Sequence, residues 1–215
     1  MSRQFLSHVY GEGVINRPRR LAYFHIPKNA SSWCKRYVAQ LGVNLLEDTW
    51  HATNLQQEQR NEYLSVVLLR DPLKRWYSYC HMERTVDQVD KNHIMSMLTE
   101  PKKIAQMFSN EHLAPQTWFF DYDANNTQTR QRDTVFFNVD EDLSANLQHF
   151  FKNQGFKNWE NCPEPFNQSP VTKQRKRAIK EWKRWLRDPD IAHAWRTLYQ
   201  DDIELIRLAN FYKAW

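Results

Sequence analysis

The stretch from Leu21 to Gly42, LAYFHIPKNASSWCKRYVAQLG, constrains the fold more than any other part of the chain. Leu21-Ala22-Tyr23-Phe24 is an apolar run of the length of a buried strand. Pro27 ends it, because proline brings no ladder donor and restricts the residue before it. Trp33, Tyr37, Val38 and Leu41 then recur at helical spacing, and Gly42 suits a helix stop. The stretch therefore reads as a strand, a tight loop and a helix N-terminus.

Such a loop suits an anion. The first turn of a helix has unpaired N–H groups and the positive end of the helix dipole. Ala30 and Ser31 are small enough to let an oxyanion approach, Ser31 and Ser32 add hydroxyls, and Lys28 adds a mobile charge. It is not a Walker A loop: GxxxxGK[ST] is missing, and the lysine precedes the small residues. An ordinary serine-capped corner has the same local appearance.

A second stretch repeats the pattern. Val66-Val67-Leu68-Leu69 is β-branched and apolar, as in a parallel strand buried on both faces. Asp71 and Pro72 then suit the N-cap and first position of a helix. Arg70 falls at the C-terminal end of the strand, where open α/β sheets hold ligands, with Arg75 and Ser78 on the helix beyond. Arginine there suits a phosphate, although an Arg70–Asp71 surface pair is the plainer alternative.

The net charge of +5 favours acidic ligands without naming one. Cys34, Cys80 and Cys162 are odd in number and widely spaced, which suits free thiols that pack, not a disulfide framework or a zinc site. The N-terminus lacks the apolar core of a signal peptide, and no run reaches transmembrane length. The expectation is a soluble, cytoplasmic protein without a membrane or nucleic-acid partner.

HIPKNASSW followed by LLRDPLKRWYSYC resembles the two nucleotide-binding motifs of sulfotransferases that use 3'-phosphoadenosine 5'-phosphosulfate (PAPS). The likeness is greatest to the Golgi carbohydrate sulfotransferases and uronyl 2-O-sulfotransferases. Pro27, Lys28, Ala30, Ser31 and Ser32 match the first motif; Arg70, Asp71, Pro72, Arg75 and Ser78 match the second. Trp33 and Tyr79 each stand one position earlier than the usual aromatic. The resemblance implies a P-loop-kinase-like sulfotransferase core, α/β, with a short mostly parallel sheet and a helical C-terminal part. It implies that Lys28, Asn29, Ala30, Ser31, Ser32 and Trp33 hold the 5'-phosphosulfate, and that Arg70 and Ser78 hold the 3'-phosphate. The product would be 3',5'-ADP and no metal is required. In the 2-O-sulfotransferases a histidine about twenty residues before the second-motif arginine is the base. His51, nineteen residues before Arg70, takes that place, with Glu47 and Asp48 in reserve.

The rest of the chain is less specific. Residues 1–20 read as a basic lead-in and 21–215 as a single domain. Val43 to Thr53 reads as a connection, and Asn54 suits the cap of a short helix through Tyr63. His112-Leu113-Ala114-Pro115-Gln116 resembles an H-(W/L)-x-P-Q segment of the carbohydrate branch, which makes Gln116 and Trp118 candidate substrate contacts and a hydroxyl-bearing glycan the expected acceptor. Packing of Trp118 is the alternative. Asn167 and Ser169 resemble a C-terminal N-x-S element, and Tyr199 to Leu205 the closing Y-x-x-D-(F/I)-E-L. The basic run Lys173 to Arg184, with Trp182 and Trp185, suits a solvated helix face. Two rival functions stand beside the transferase: a nucleotide kinase of related fold, and a non-catalytic binder of anionic ligands.

Overall fold

Val66 to Leu69 are buried on both faces of the sheet, as an unbroken apolar run requires. They belong to the middle one of three parallel strands in a five-stranded mixed sheet. A computed structural model describes residues 12–16, 19–41, 49–51, 63–80, 90–119, 134–163 and 173–214. The strands are β1 (Glu12–Asn16), β2 (Leu21–Phe24), β3 (Thr49–His51), β4 (Leu64–Leu69) and β5 (Thr134–Asn138), in the spatial order β3-β1-β2-β4-β5. β2, β4 and β5 are parallel, while β1 pairs antiparallel with both β2 and β3. The chain is thus mixed α/β with a short three-strand parallel sheet.

Two expectations are corrected at the antiparallel edge. Residues 12–16 are not lead-in: they form β1, with Gly13 opposite Phe24. The connection after the first helix contains β3, whose His51 lies opposite Glu12. Both strands are short and owe their form to pairing, not to an alternating pattern of their own. The helix expected from Asn54 lies outside the described residues, as do Glu47, Asp48, Asn167 and Ser169.

The helices are α1 (Ser31–Gln40), α2 (Pro72–Cys80), α3 (Lys91–Thr99), α4 (Pro101–Phe108), α5 (Leu143–Asn153), α6 (Lys173–Trp185), α7 (Pro189–Leu198) and α8 (Gln200–Leu208), with a 3-10 turn at Gln116–Trp118. They divide between two apolar clusters. One joins the sheet to α1 and α5 through Tyr23, Tyr37, Leu68, Phe137, Leu147 and Phe151. The other joins α2, α3, α4, α6 and α7 through Trp76, Ile94, Phe108, Trp182, Trp195 and Tyr199. Trp118 packs against both clusters, edge-on to Phe108. Cys34 is fully buried, and burial pushes its thiol up to about 12, which keeps it a protonated packing residue. No helix among the described residues is long and apolar enough to cross a membrane.

The sheet edge at β5 is covered. Phe211 bridges Phe136 in parallel, the Tyr212 N–H donates to the Phe136 carbonyl (2.9 Å), and the Ala214 N–H donates to Asn146 Oδ1 (2.8 Å). The C-terminal segment thus takes up one outward bond of an apolar edge strand, at Phe136.

Helix α5 starts at Asp142, whose carboxylate accepts from the Ala145 N–H (3.2 Å), and ends in a Schellman turn. Phe156 N–H donates to the Phe151 carbonyl and Gly155 N–H to the Lys152 carbonyl, with Gly155 at φ +69°. Arg19, expected to lie in a solvated flank, instead donates to the Gln154 and Gly155 carbonyls, putting a cation at the negative end of the helix. A Cβ at Gly155 would meet Arg19 Nη1 at 3.3 Å. Gly155→Ala is expected to cost about 1–2 kcal/mol in the left-handed region. Thermal unfolding should then fall by roughly 2–8 °C, at the 2–4 °C per kcal/mol usual for this chain length. An unchanged midpoint would mean that this turn contributes nothing to stability.

Candidate functional site

The loop between β2 and α1 turns through two left-handed non-glycine residues, Lys28 at φ +69° and Ala30 at φ +55°. Such conformations are costly for residues with a Cβ and persist only where the surroundings enforce them. Here Asn29, between them, is fully buried. Its Nδ2 donates to the Leu68 carbonyl (2.7 Å) and to Gln116 Oε1 (2.6 Å), and its own N–H donates to the Ile26 carbonyl (3.2 Å). Asn29 was expected to touch the nucleotide. Its amide nitrogen instead pegs the loop to the end of β4, because a buried donor must find acceptors.

The first intrahelical bond of α1 runs from Cys34 N–H to the Ala30 carbonyl (2.9 Å), so Ser31, Ser32 and Trp33 supply the first-turn N–H groups ahead of the ladder. No acidic residue lies in that turn. Ser32 is exposed and Ser31 buried. The Trp33 side chain is turned inward and donates from Nε1 to the Pro163 carbonyl (2.8 Å), so only its backbone faces the loop. What the loop offers an anion is a helix end, the Ser32 hydroxyl and the half-buried Lys28.

The second predicted stretch is bonded directly to the first. Arg70 Nη1 donates to the Lys28 carbonyl (3.2 Å) and Arg75 Nε to the Pro27 carbonyl (3.0 Å). Arg70 also approaches Asp140, with Nε 3.5 Å from Oδ1. An incoming phosphate would share that guanidinium with the carboxylate. Arg75 is almost wholly buried and spends its other nitrogens on the Ala114 carbonyl (2.6 Å) and the Glu111 carbonyl (3.0 Å). Burial lowers its pKa, and the charge of Asp202 opposes that shift. Arg75 is thus a brace for three backbone segments, not a phosphate ligand. Ser78 is half-buried one turn further along α2, a helical neighbour of Arg75.

Gln116 corrects another expectation. It is fully buried, so it does not meet an acceptor. Its side chain pairs with Arg70 as a neighbouring strand would: Nε2 donates to the Arg70 carbonyl (2.8 Å), and Oε1 accepts from the Arg70 N–H (3.1 Å). The 3-10 turn that carries it starts on Asp202 of α8, whose carboxylate accepts from the Gln116 N–H (2.8 Å) and the Thr117 N–H (3.0 Å). Burial pushes the Asp202 pKa up, while those amides and the Arg75 charge hold it back. Tyr199 completes the anchorage by donating to the Leu113 carbonyl (2.6 Å). Trp118, the other candidate contact, is a half-buried packing residue.

His51 stands at the end of β3, at the same end of the sheet as the Lys28 loop, since Glu12 pairs with it and Gly13 with Phe24. Two strand spacings, roughly 10 Å, separate β3 from β2. Its side chain lies outside the described residues.

Sequence reasoning passed over three residues: Arg75 as a brace, Asp202 as the anchor of the 3-10 turn, and His112. The last stacks on Tyr79 of α2 at 5.8 Å between ring centroids. A signal for two of them was present, because His112 opens the H-L-A-P-Q segment and Asp202 sits in the closing Tyr199 to Leu205 run. Compared with family models, curated proteins and solved structures, the chain matches none of them.

Proposed function

We propose that the chain transfers a sulfuryl group from PAPS to a hydroxyl acceptor, a carbohydrate by resemblance, on a core of the P-loop kinase type. One observation carries the reading. The two stretches that resemble the donor-binding motifs are tied together by the Arg70–Lys28 and Arg75–Pro27 bonds, at the adjoining C-terminal ends of two parallel strands. Brought together in that way, they present two separate positive features to a ligand with anionic groups at both ends.

The residues fit such a donor. The first turn of α1, with Lys28 and Ser32, suits the 5'-phosphosulfate; Arg70 and Ser78 suit the 3'-phosphate. PAPS, when bound, supplies an activated sulfuryl group. Positioning and neutralisation of the leaving oxygen do most of the work in the analogous phosphoryl transfers, and a lysine with helix-end amides provides both. Asn29, Gln116 and Arg75 hold the backbone that carries these groups. His51 is the base that the resemblance suggests.

Calorimetric titration with 3',5'-ADP tests the reading. Saturable binding is expected, weakened about 10- to 100-fold by Arg70→Ala, which removes a charged hydrogen bond worth about 1.5–3 kcal/mol. Absence of saturable binding, or an Arg70→Ala variant that binds as tightly, would remove the proposal. A preference for ATP and Mg²⁺ over PAPS in the same titration would favour the kinase alternative.

A different observation keeps the anionic-binder reading in play. A concavity of about 460 Å³ along α6 is lined by Lys176, Lys180, Lys183, Arg184 and Arg187. Binding of a polyanion that ignores PAPS and is lost on reversing those charges would favour that reading.

A further inference from the structure

We propose that His112 is the general base of the transfer, taking the acceptor hydroxyl's proton on a ring nitrogen as that oxygen bonds to sulfur. The inference rests on the sulfuryl-transfer reading above. The acceptor O–H bond breaks and its proton passes to the imidazole, while a new oxygen–sulfur bond forms. The bond from sulfur to the bridging oxygen breaks, and its electron pair leaves with 3',5'-ADP, where Lys28 meets the charge.

Three observations place His112 in this role. The first is its position. Arg75 holds the carbonyls on either side of it, those of Glu111 and Ala114, and with the same guanidinium holds the Pro27 carbonyl one residue before Lys28. The loop of the leaving group and the segment of His112 are therefore fixed to one rigid fork.

The second is orientation. The ring lies on Tyr79, nearly parallel at 26°, one residue beyond Ser78. Asn110 secures both partners, donating from Nδ2 to the Tyr79 hydroxyl (2.7 Å) and accepting at Oδ1 from the His112 N–H (3.0 Å). An imidazole fixed in this way is held ready for one direction of proton transfer.

The third is its chemistry. His112 Nδ1 is buried without a hydrogen-bond partner among the described residues. Desolvation of that nitrogen disfavours the charged imidazolium form. Among the described residues, the charged and titratable groups facing the ring are Lys28 from the loop, Arg75 and Tyr79 from α2, and its neighbour Glu111, whose Oε1 is 4.0 Å from Nε2. Burial is the main force holding the pKa below its ordinary value; the Lys28 ammonium adds to it, Glu111 opposes it and Arg75 adds again. The ring is accordingly neutral and basic at pH 7, within the electrostatic reach of Lys28. His51, by contrast, belongs to a strand two spacings from the loop's own strand.

The test uses the full chain with His112→Gln and His112→Ala. Turnover of PAPS to 3',5'-ADP is followed with water and with desulfated chondroitin as acceptors, and the ring titration of His112 by ¹⁵N NMR with and without 3',5'-ADP. Expected results are 3',5'-ADP affinity unchanged in both variants and turnover lowered about 10²- to 10⁴-fold. The acid limb of the wild-type rate profile should lie below about pH 6.5, the ordinary histidine value, and vanish in the Gln variant. The nucleotide's negative charge should raise the ring pKa when it binds. Variants that bind 3',5'-ADP and keep full turnover, or a ring titration blind to the nucleotide, would overturn the assignment and leave the sulfotransferase reading intact. A wild-type chain that binds no 3',5'-ADP would overturn both. A ring titration blind to the nucleotide overturns the assignment even where turnover with these acceptors is too slow to follow.

Discussion

Asp202→Ala is expected to cost roughly 3–5 kcal/mol, the usual consequence of removing one partner from a buried charged network. The change leaves the Gln116 and Thr117 N–H groups without their acceptor and takes away the negative charge that most favours the buried Arg75 cation. Thermal unfolding should fall by roughly 6–20 °C, at 2–4 °C per kcal/mol. Asp202→Asn should be milder, since the amide oxygen still accepts one of the two bonds while its NH₂ opposes the other donor. An Asp202→Ala variant that melts with the parent would mean that the 3-10 turn holds its place by packing alone.

If the chain carries out the proposed sulfuryl transfer, Lys28→Ala is the second large effect, and it falls on rate. Losing one donor aimed at developing negative charge lowers kcat by about 10²- to 10³-fold. Alanine keeps the backbone carbonyl that accepts from Arg70, so folding and 3',5'-ADP binding should change far less than turnover. Lys28→Arg separates charge from geometry: partial recovery is expected, because the cation survives while its reach and shape differ. Steady-state kinetics on both variants, with urea unfolding as the control, would check this. Equal turnover in Lys28→Ala and the parent would take Lys28 out of the chemistry.

The parts of the fold visible in the sequence are those whose cause is local. Val66 to Leu69 read as a buried parallel strand because a short β-branched apolar run suits one, and the start of α2 at Asp71 and Pro72 is a short-range signal. β1 was hidden, since Glu12 to Asn16 alternate too weakly to declare a strand until Leu21 to Phe24 lie alongside. Asn29 and Gln116 were expected to be ligand contacts because the segments that carry them resemble family motifs. Their acceptors, Leu68 and Arg70 on one side and Asp202 on the other, are 39 to 86 residues away in the chain. No spacing rule within one segment reports that kind of partner. The two anion-suited stretches were legible, and that they bond to one another was not.

The brace at Arg75 reaches 48, 39 and 36 residues along the chain to its three carbonyls, and Asp202 reaches 86 to Gln116. Loop-closure entropy must be met before any of these bonds gains strength, as it must for the parallel pairings of the sheet, which join Leu21 to Leu64 and Ser65 to Thr134. The groups proposed to hold the nucleotide therefore have their arrangement only when these distant bonds are made. On the proposed function, retention on immobilised 3',5'-ADP would sort fully folded molecules from damaged ones, and added nucleotide would delay heat inactivation by mass action on the folded form.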